Sequence, residues 1–282
     1  MKKTFVYFIC SLIVLISCSK EKEIQTDTAK PDTSGTTSGA IQENGTLLFS
    51  DIFWNISESE GSLNEEIIPT RKNNIFVDSL GNLHLRVSKE NNFFYGAEIV
   101  ADTLFDLGEF TFFIDSDLQK LPKNAKLRLR LINPYENIRQ NLVETGFIFS
   151  YENADIKSPI KHYAINTNSK DIEKHYSNGI IAGDKSKHKI VIVKEAISFL
   201  SFKDDDSLLD EYTISKYSSN KRKNKNSASE LTFFAPSTKQ KLVISLYCCD
   251  SREKMEEFEV VISKITTKSI FSNTSNSNIT SK

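Results

Sequence analysis

The residues that could perform metal or nucleophilic chemistry are few and widely spaced. The four histidines are His84, His162, His175 and His188, and no two of them have a metal-ligand spacing such as H-x-H or H-E-x-x-H. His84 and His188 alternate with strand hydrophobes, which predicts that both face solvent. His162 could reach a cleft, although a structural role is the simpler expectation. The sequence also lacks a serine nucleophile elbow and a phosphate-binding loop, and it predicts no metal site.

A cysteine follows an apolar leader at the start of the chain. Residues 1–17 read MKKTFVYFICSLIVLIS, in which two lysines precede an apolar run too short for a typical membrane span. The run ends in L-I-S before Cys18, and this ending resembles the lipobox of bacterial lipoproteins. The resemblance implies a signal peptide cut before Cys18 and lipid, such as palmitate, on its sulfur. We therefore expect lipid anchoring in the bacterial cell envelope, on the outer membrane, with the periplasmic or surface side left open; a plain signal peptide is the alternative.

Net charge and cysteine content restrict the partners and the cross-links that the chain is expected to have. The formal net charge is −1 over 282 residues, and a chain so near neutrality does not require a nucleic-acid partner. Once Cys10 leaves with the leader and Cys18 carries lipid, Cys248 and Cys249 remain. Adjacent cysteines pair only in a strained ring, so no disulfide framework is predicted.

The chain divides by composition into a leader, a tether, a domain and a tail. Residues 18–45 are polar and rich in Thr, Ser, Gly, Lys and Glu, which predicts a flexible tether. Residues 269–282 predict a disordered tail. Residues 46–268 between them carry short alternating segments separated by Gly, Asn, Asp and Pro, a pattern typical of a β-sandwich or barrel.

The alternating segments give the expected strands. They are Leu47–Ser50, Ile75–Val77, Leu83–Val87, Ala97–Asp102, Glu109–Ile114, Lys126–Leu131, Glu144–Tyr151, Lys161–Ile165, Lys189–Val193, Ile197–Phe202, Leu209–Ile214, Leu242–Cys248 and Phe258–Thr266.

Several of these segments, in order, resemble the strand motifs of the bacterial family 16 glycoside hydrolases. The matching segments are Asn73–Arg86, Tyr95–Ile99, Phe105–Phe110, His188–Val193 with Ile197–Phe199, Lys241–Tyr247 and Glu259–Ile262. The likeness covers residues 46–268. It implies an all-β, two-sheet jelly-roll sandwich of the concanavalin A-like lectin/glucanase type.

The resemblance also locates the strand on which the family carries its catalytic acids. Family members have E-x-D-x-E or E-x-D-x-x-E there, and alternation puts the three carboxylates on one face. One glutamate attacks the anomeric carbon and the other protonates the leaving oxygen. The corresponding strand here places Glu144 at the nucleophile, Gly146 at the aspartate, and Ile148 or Phe149 at the acid/base position. The motif is therefore degenerate, with one carboxylate where three are needed.

Sugar binding does not require those acids. Sugar rings stack on aromatic faces while polar groups fix their hydroxyls. By position in the family pattern, the candidate ligand-binding residues are Trp54, Tyr95, Glu98, Tyr151, Tyr163 and Tyr247.

Three functions remain open. The favoured hypothesis is a non-hydrolytic glycan-binding or interaction domain, a pseudo-enzyme whose partners are the membrane and a polysaccharide. The alternatives are an active glycoside hydrolase with an acid displaced to Glu98 or Asp155, and a structural lipoprotein without a ligand. No cofactor is predicted; some family members bind structural calcium on the convex side, but no ligands can be assigned here.

Overall fold

In the computed structural model, the domain is built almost entirely of antiparallel β-strands. The structure describes residues 45–60, 69–91, 93–134, 144–150, 160–165, 172–177, 181, 183–215, 239–248 and 256–270. The predicted lipidation site Cys18, the tether before residue 45, Tyr151, Asp155 and the tail beyond residue 270 lie outside the described residues. No helix within the described ranges is long and apolar enough to cross a membrane.

The first sheet carries most of the predicted ligand-binding residues. Its strands run in the order β1-β2-β6-β15-β8-β9-β10-β11, with each neighbouring pair antiparallel. They are β1 (Thr46–Phe49), β2 (Ile52–Ile56), β6 (Ala97–Phe105), β8 (Ala125–Ile132), β9 (Glu144–Phe149), β10 (Ile160–Ile165), β11 (Ile172–Tyr176) and β15 (Gln240–Cys248).

The second sheet packs against the first. Its order is β14-β13-β12-β7-β16-β4-β3, and β5 pairs with β4 off this path. The strands are β3 (Ile75–Val77), β4 (Leu83–Glu90), β5 (Phe93–Tyr95), β7 (Gly108–Ile114), β12 (Ser186–Val193), β13 (Ala196–Lys203), β14 (Leu208–Ser215) and β16 (Phe258–Ser269). Two short 3-10 turns, Lys72–Asn74 and Leu118–Lys120, complete the described secondary structure.

Alternation along the strands builds the core between the sheets. Phe147 on β9 and Phe199 on β13 are both fully buried and meet edge-to-face, with ring centroids 5.5 Å apart. Burying a phenylalanine side chain contributes about 1.5–3 kcal/mol, so such contacts hold the two sheets face to face. The two-sheet jelly-roll class predicted from the sequence is confirmed.

The expectation that His188 faces solvent is wrong. His188 shares its side of β12 with Ile190 and Ile192, and this side is fully buried. The lysines at 187 and 189 occupy the other side, so the alternation favours an inward histidine. His84, by contrast, lies on the outward side of β4, and its ring contacts Asp78 and Glu259 at 3.1 and 2.6 Å.

Candidate functional site

The outer face of the first sheet is the side turned away from the second sheet. A single row of paired residues crosses it from β6 to β10, namely Val100, Val243, Arg130, Gly146 and Tyr163. Their neighbours along each strand point into the core, because successive side chains of a strand alternate between faces. Antiparallel pairing therefore brings side chains distant in sequence together at the centre of this face.

Arg130 holds two carboxylates at that centre. Its Nη2 donates to Glu98 Oε2 at 2.7 Å, and its Nη1 lies 3.5 Å from Glu144 Oε2. The three side chains are only 16–22% exposed. Burial alone would lower the pKa of the Arg130 guanidinium, but the charges of Glu144 and Glu98 outweigh it and raise that pKa above its ordinary value. The guanidinium therefore remains charged between two acids.

Tyr163 completes the cluster from β10. Its hydroxyl donates a hydrogen bond to Glu144 Oε1. Burial, reinforced by the negative charge of Glu144, raises the pKa of Tyr163 well above the ordinary value of a phenol. The phenol therefore stays protonated and acts as a fixed donor to the carboxylate.

The direction of each β9 side chain decides how the family's catalytic motif maps onto this chain. Glu144, Gly146 and Ile148 are on the outer face, whereas Phe147 and Phe149 are buried in the core. Ile148, not Phe149, thus occupies the acid/base position implied by the resemblance. Phe147 and Phe149 do not fill the outer face.

Gly146 cannot be replaced by the aspartate of the family motif without moving the backbone. A Cβ built on Gly146 would lie 2.2 Å from the carbonyl oxygen of Leu129 and 2.9 Å from Cα of Arg130. Both atoms belong to β8, the neighbouring strand. The loss of the middle acid is therefore built into the spacing of β8 and β9 and goes beyond the identity of one side chain.

Glu98, which the sequence offered as a displaced acid, does approach Glu144. The two glutamates contact the same guanidinium, although two strands separate β6 from β9. A hydrolytic pair needs a gap of about 5–9.5 Å that holds the scissile bond. In this protein the Arg130 guanidinium lies between the carboxylates of Glu98 and Glu144.

The expected role of Trp54 in sugar stacking is contradicted by its position. Trp54 is fully buried, and its indole nitrogen donates to the Phe49 carbonyl at 3.1 Å. Alternation turns its neighbour Phe53 outward instead, where Phe53 is 47% exposed. The larger ring gains more by burial, so β2 presents the phenylalanine to solvent.

The predicted tyrosines offer little open ring surface. Tyr163 and Tyr247 lie on the outer face but are only 2% and 5% exposed. The guanidinium of Arg128 lies 5.1 Å from the centre of the Tyr247 ring, and that of Arg71 lies 3.7 Å from the centre of the Tyr95 ring. In each of these two pairs the guanidinium occupies one face of the tyrosine ring, and that face is not free to stack on a sugar.

Two exposed aromatic rings of this face, within the part of the chain that the structure describes, were not among the predicted residues. Phe53 on β2 and Tyr176 on β11 are 47% and 46% exposed, toward opposite edges of the first sheet. Tyr176 pairs with Lys161, whose ammonium lies 5.3 Å from the ring centre. Alternation with Trp54 would have indicated Phe53, whereas Tyr176 lies on a strand that the sequence did not predict.

Among the described residues, side chains of types that can bind a metal ion lie at the Asp205 turn and in a cluster that contains His162. Asp205 accepts the Ser207 backbone N–H at 2.9 Å, and this hydrogen bonding lowers the pKa of Asp205, as expected of a turn. The group whose ligand atoms lie close enough to hold one ion is His162, His175 and Asp210, away from the outer face. Structural calcium stays a prediction without assigned ligands.

Comparison with known proteins identifies the fold. No protein-family model and no curated protein matches the chain. Among solved structures, the immunostimulatory antigen and pseudo β-1,3-glucanase of Mycobacterium tuberculosis is 14% identical with a TM-score of 0.58, covering 76% of this chain and 90% of its own. A family 16 endo-glucanase from Bacteroides ovatus is 12% identical with a TM-score of 0.57, covering 76% and 94%.

A third structure, the Bacillus licheniformis β-glucanase, is 12% identical with a TM-score of 0.53, covering 79% of this chain and 91% of its own. At such low identity the likeness establishes the fold alone. The described domain therefore has the jelly-roll fold of the family 16 glycoside hydrolases.

Proposed function

We propose that this chain is an envelope lipoprotein whose jelly-roll domain binds a glycan without hydrolysing it. The observation that carries the proposal is the Arg130 cluster, in which a guanidinium fills the space between Glu98 and Glu144. By the resemblance, Ile148 corresponds to the family's acid/base position, and its side chain carries no acid. A face so arranged can bind hydroxyl groups, yet it has no room for a glycosidic oxygen between two acids.

The chemistry of the outer face suits a neutral or mildly charged sugar chain. Charged side chains such as Arg128, Arg130, Glu98 and Glu144 can fix sugar hydroxyls, as a small number of placed polar groups does in carbohydrate sites. Phe53 and Tyr176 offer ring faces toward the two edges. The fold is shared with glucanases and with a pseudo-glucanase, which supports a glycan as the ligand.

Lipid on Cys18 would hold this domain at the envelope. The support is the lipobox-like sequence before Cys18, and acyl chains contribute about 0.8 kcal/mol per buried CH₂. Labelling with a radioactive or clickable fatty acid should mark the wild-type protein and not Cys18→Ala. Labelling of both proteins alike would refute the anchor.

Absence of hydrolysis is tested with purified protein and a panel of polysaccharides. Laminarin, lichenan, agarose, carrageenan and porphyran are incubated with the protein, and new reducing ends are measured. We expect none above the level of buffer. Release that disappears in Glu144→Gln would overturn the non-hydrolytic assignment.

Binding is tested by affinity electrophoresis in the same polysaccharides and on a glycan array. Phe53→Ala and Tyr176→Ala should each weaken binding about two- to tenfold, as expected for a lost ring contact of about 0.5–1.5 kcal/mol. Phe93→Ala is the matched control, because Phe93 is 60% exposed but lies on β5, outside the first sheet. Binding to no glycan would favour a purely structural lipoprotein.

Residual hydrolysis is the second candidate, because the structure does bring Glu98 to the same guanidinium as Glu144. If Arg130 swings away when substrate enters, the two glutamates would face one another across the vacated space. This candidate requires activity that is lost in both Glu98→Gln and Glu144→Gln. Activity that survives either change would exclude the pair as the catalytic acids.

A further inference from the structure

A second cluster of polar side chains lies where the edges of the two sheets meet. His162 on β10 and His175 on β11 are paired across the first sheet, and Asp210 lies on β14 of the second sheet. In the described sheets, β11 and β14 are the terminal strands. One ligand atom from each of the three side chains lies within 4.8 Å of the others. Three strands from two sheets therefore converge on one point.

The buried member of this cluster has no hydrogen-bond partner among the residues that the structure describes. His162 is fully buried, and within the described ranges neither its Nδ1 nor its Nε2 makes a hydrogen bond. Oδ2 of Asp210 is likewise buried and unpartnered, and it lies 3.7 Å from Nε2 of His162, beyond hydrogen-bond range. Such groups are rarely left unsatisfied in a native core, since each costs about 1–3 kcal/mol. A ligand at this point would satisfy Nε2 of His162 and Oδ2 of Asp210.

Ring stacking orients the donors before any ligand arrives. His162 and His175 lie nearly parallel, with centroids 5.6 Å apart and an interplanar angle of 7°. Tyr212 stacks on His175 at 4.1 Å and 5°. The two imidazoles and the nearby carboxylate therefore form a site whose geometry is set by ring stacking.

We propose that His162, His175 and Asp210 bind one divalent transition-metal ion, for which zinc is the best match. Two imidazoles and a carboxylate are ordinary zinc ligands, with bonds of about 2.0–2.2 Å. Tetrahedral ligands at that distance stand about 3.3 Å apart, close to the 3.7 Å between Nε2 of His162 and Oδ2 of Asp210. Calcium is a poor match, because it takes six to eight oxygen ligands.

The ion would act as a clip between the sheets. His162 and His175 belong to the first sheet and Asp210 to the second. One ion bound to all three side chains would therefore link the two sheets directly. His175 and Asp210 are partly exposed, which leaves solvent access for entry of the ion and for a water as fourth ligand. This site is separate from the outer face and does not depend on glycan binding.

The test uses the full-length protein without a histidine tag, stripped with a chelator and titrated with zinc chloride against a chromogenic zinc indicator. We expect one zinc ion per chain at micromolar concentration or below. His175→Ala and Asp210→Asn should each weaken binding at least tenfold. Both residues are partly exposed, and circular dichroism checks that the variants fold.

His84→Gln is the matched control. His84 also contacts two carboxylates, those of Asp78 and Glu259, but it lies on the outward side of β4. This variant should bind zinc as the wild type does and show the same zinc-induced rise in Tm. The proposal is overturned if the wild type binds no zinc, or if zinc binding survives unchanged in His175→Ala and Asp210→Asn.

Discussion

Two buried histidines contact the same phenylalanine but differ in their partners. The rings of His162 and His188 lie 5.2 and 5.4 Å from that of Phe147, and both histidines are fully buried. His188 has hydrogen bonds to Ser201 Oγ at 2.9 Å and Ser186 Oγ at 3.0 Å. His162 has none.

The difference shows that burial does not by itself define the role of a histidine. Both ring nitrogens of His188 are hydrogen-bonded to hydroxyls of its own sheet, so the role of this ring is structural. The ring nitrogens of His162 have no hydrogen-bond partner in the described part of the chain and are available to a bound ligand. The predictions test this contrast.

The largest expected effect separates the two histidines by matched replacement. His188→Phe leaves the buried hydroxyls of Ser186 and Ser201 without their partner, which should lower the free energy of unfolding by about 2–4 kcal/mol. His162→Phe removes an imidazole that has no hydrogen-bond partner among the described residues, so in metal-free protein we expect no loss of unfolding free energy. Urea denaturation in the presence of chelator measures both, and equal losses would contradict the contrast.

Zinc should stabilise only the protein that keeps the His162 cluster. At a free zinc concentration about one hundred times the dissociation constant, a ligand specific for the folded state adds about 2.7 kcal/mol. We expect this gain in the wild type and in His188→Phe. His162→Phe should not show it. Urea denaturation with and without zinc provides the measurement, and a gain of the same size in all three proteins would mean that zinc acts elsewhere.

Acid should destabilise the fold partly through His188. Burial, helped by the nearby His162, lowers the pKa of His188 from the ordinary 6.5 of a histidine to about 3. The unfolded chain therefore takes up the proton first, and stability present above pH 6.5 is lost as pH falls toward 3. Between pH 6.5 and 5.5 the share of one such histidine is about 1 kcal/mol.

His188→Phe isolates that share of the pH dependence. Its unfolding free energy should fall by about 1 kcal/mol less than that of the wild type between pH 6.5 and 5.5. Lys187→Gln on the outward side of the same strand is a control that should leave the slope near the wild-type value. Parallel pH profiles for wild type and His188→Phe would mean that His188 titrates normally in the fold.

Sequence patterning predicted the fold well because alternation reports burial directly. Each strand expected from alternating residues is present, within a few residues of its expected ends. The strand β2 was missed because its hairpin turn is Ser50-Asp51, with φ of 53° and 60°, in place of the Asn-Gly or Asp-Gly that signals such a turn. The terminal strand β11 was missed because Ile172–Tyr176 is largely polar.

The site was less predictable because it depends on strand register. Degeneracy at Gly146 and Ile148 could be read from spacing along one strand. Arg130 could not, since its segment K-L-R-L-R-L alternates like any half-exposed strand; only the pairing of β8 with β9 and β15 brings it between Glu98 and Glu144. The His162 cluster was missed for the same reason, because its members come from three strands of two sheets.

The smallest predicted effect concerns the ring that orients His175. Tyr212→Leu removes a stacked neighbour at 4.1 Å, and loss of an aromatic contact of about 0.5–1.5 kcal/mol should weaken zinc binding about two- to tenfold. Tyr212→Phe keeps the ring and should bind zinc within about twofold of the wild type, which separates stacking from any role of the hydroxyl. Because His188 is not a member of the His162 cluster, His188→Phe should leave zinc affinity unchanged. If Tyr212→Leu also leaves it unchanged, then stacking does not position His175, and the metal would have to fix that ring by coordination alone.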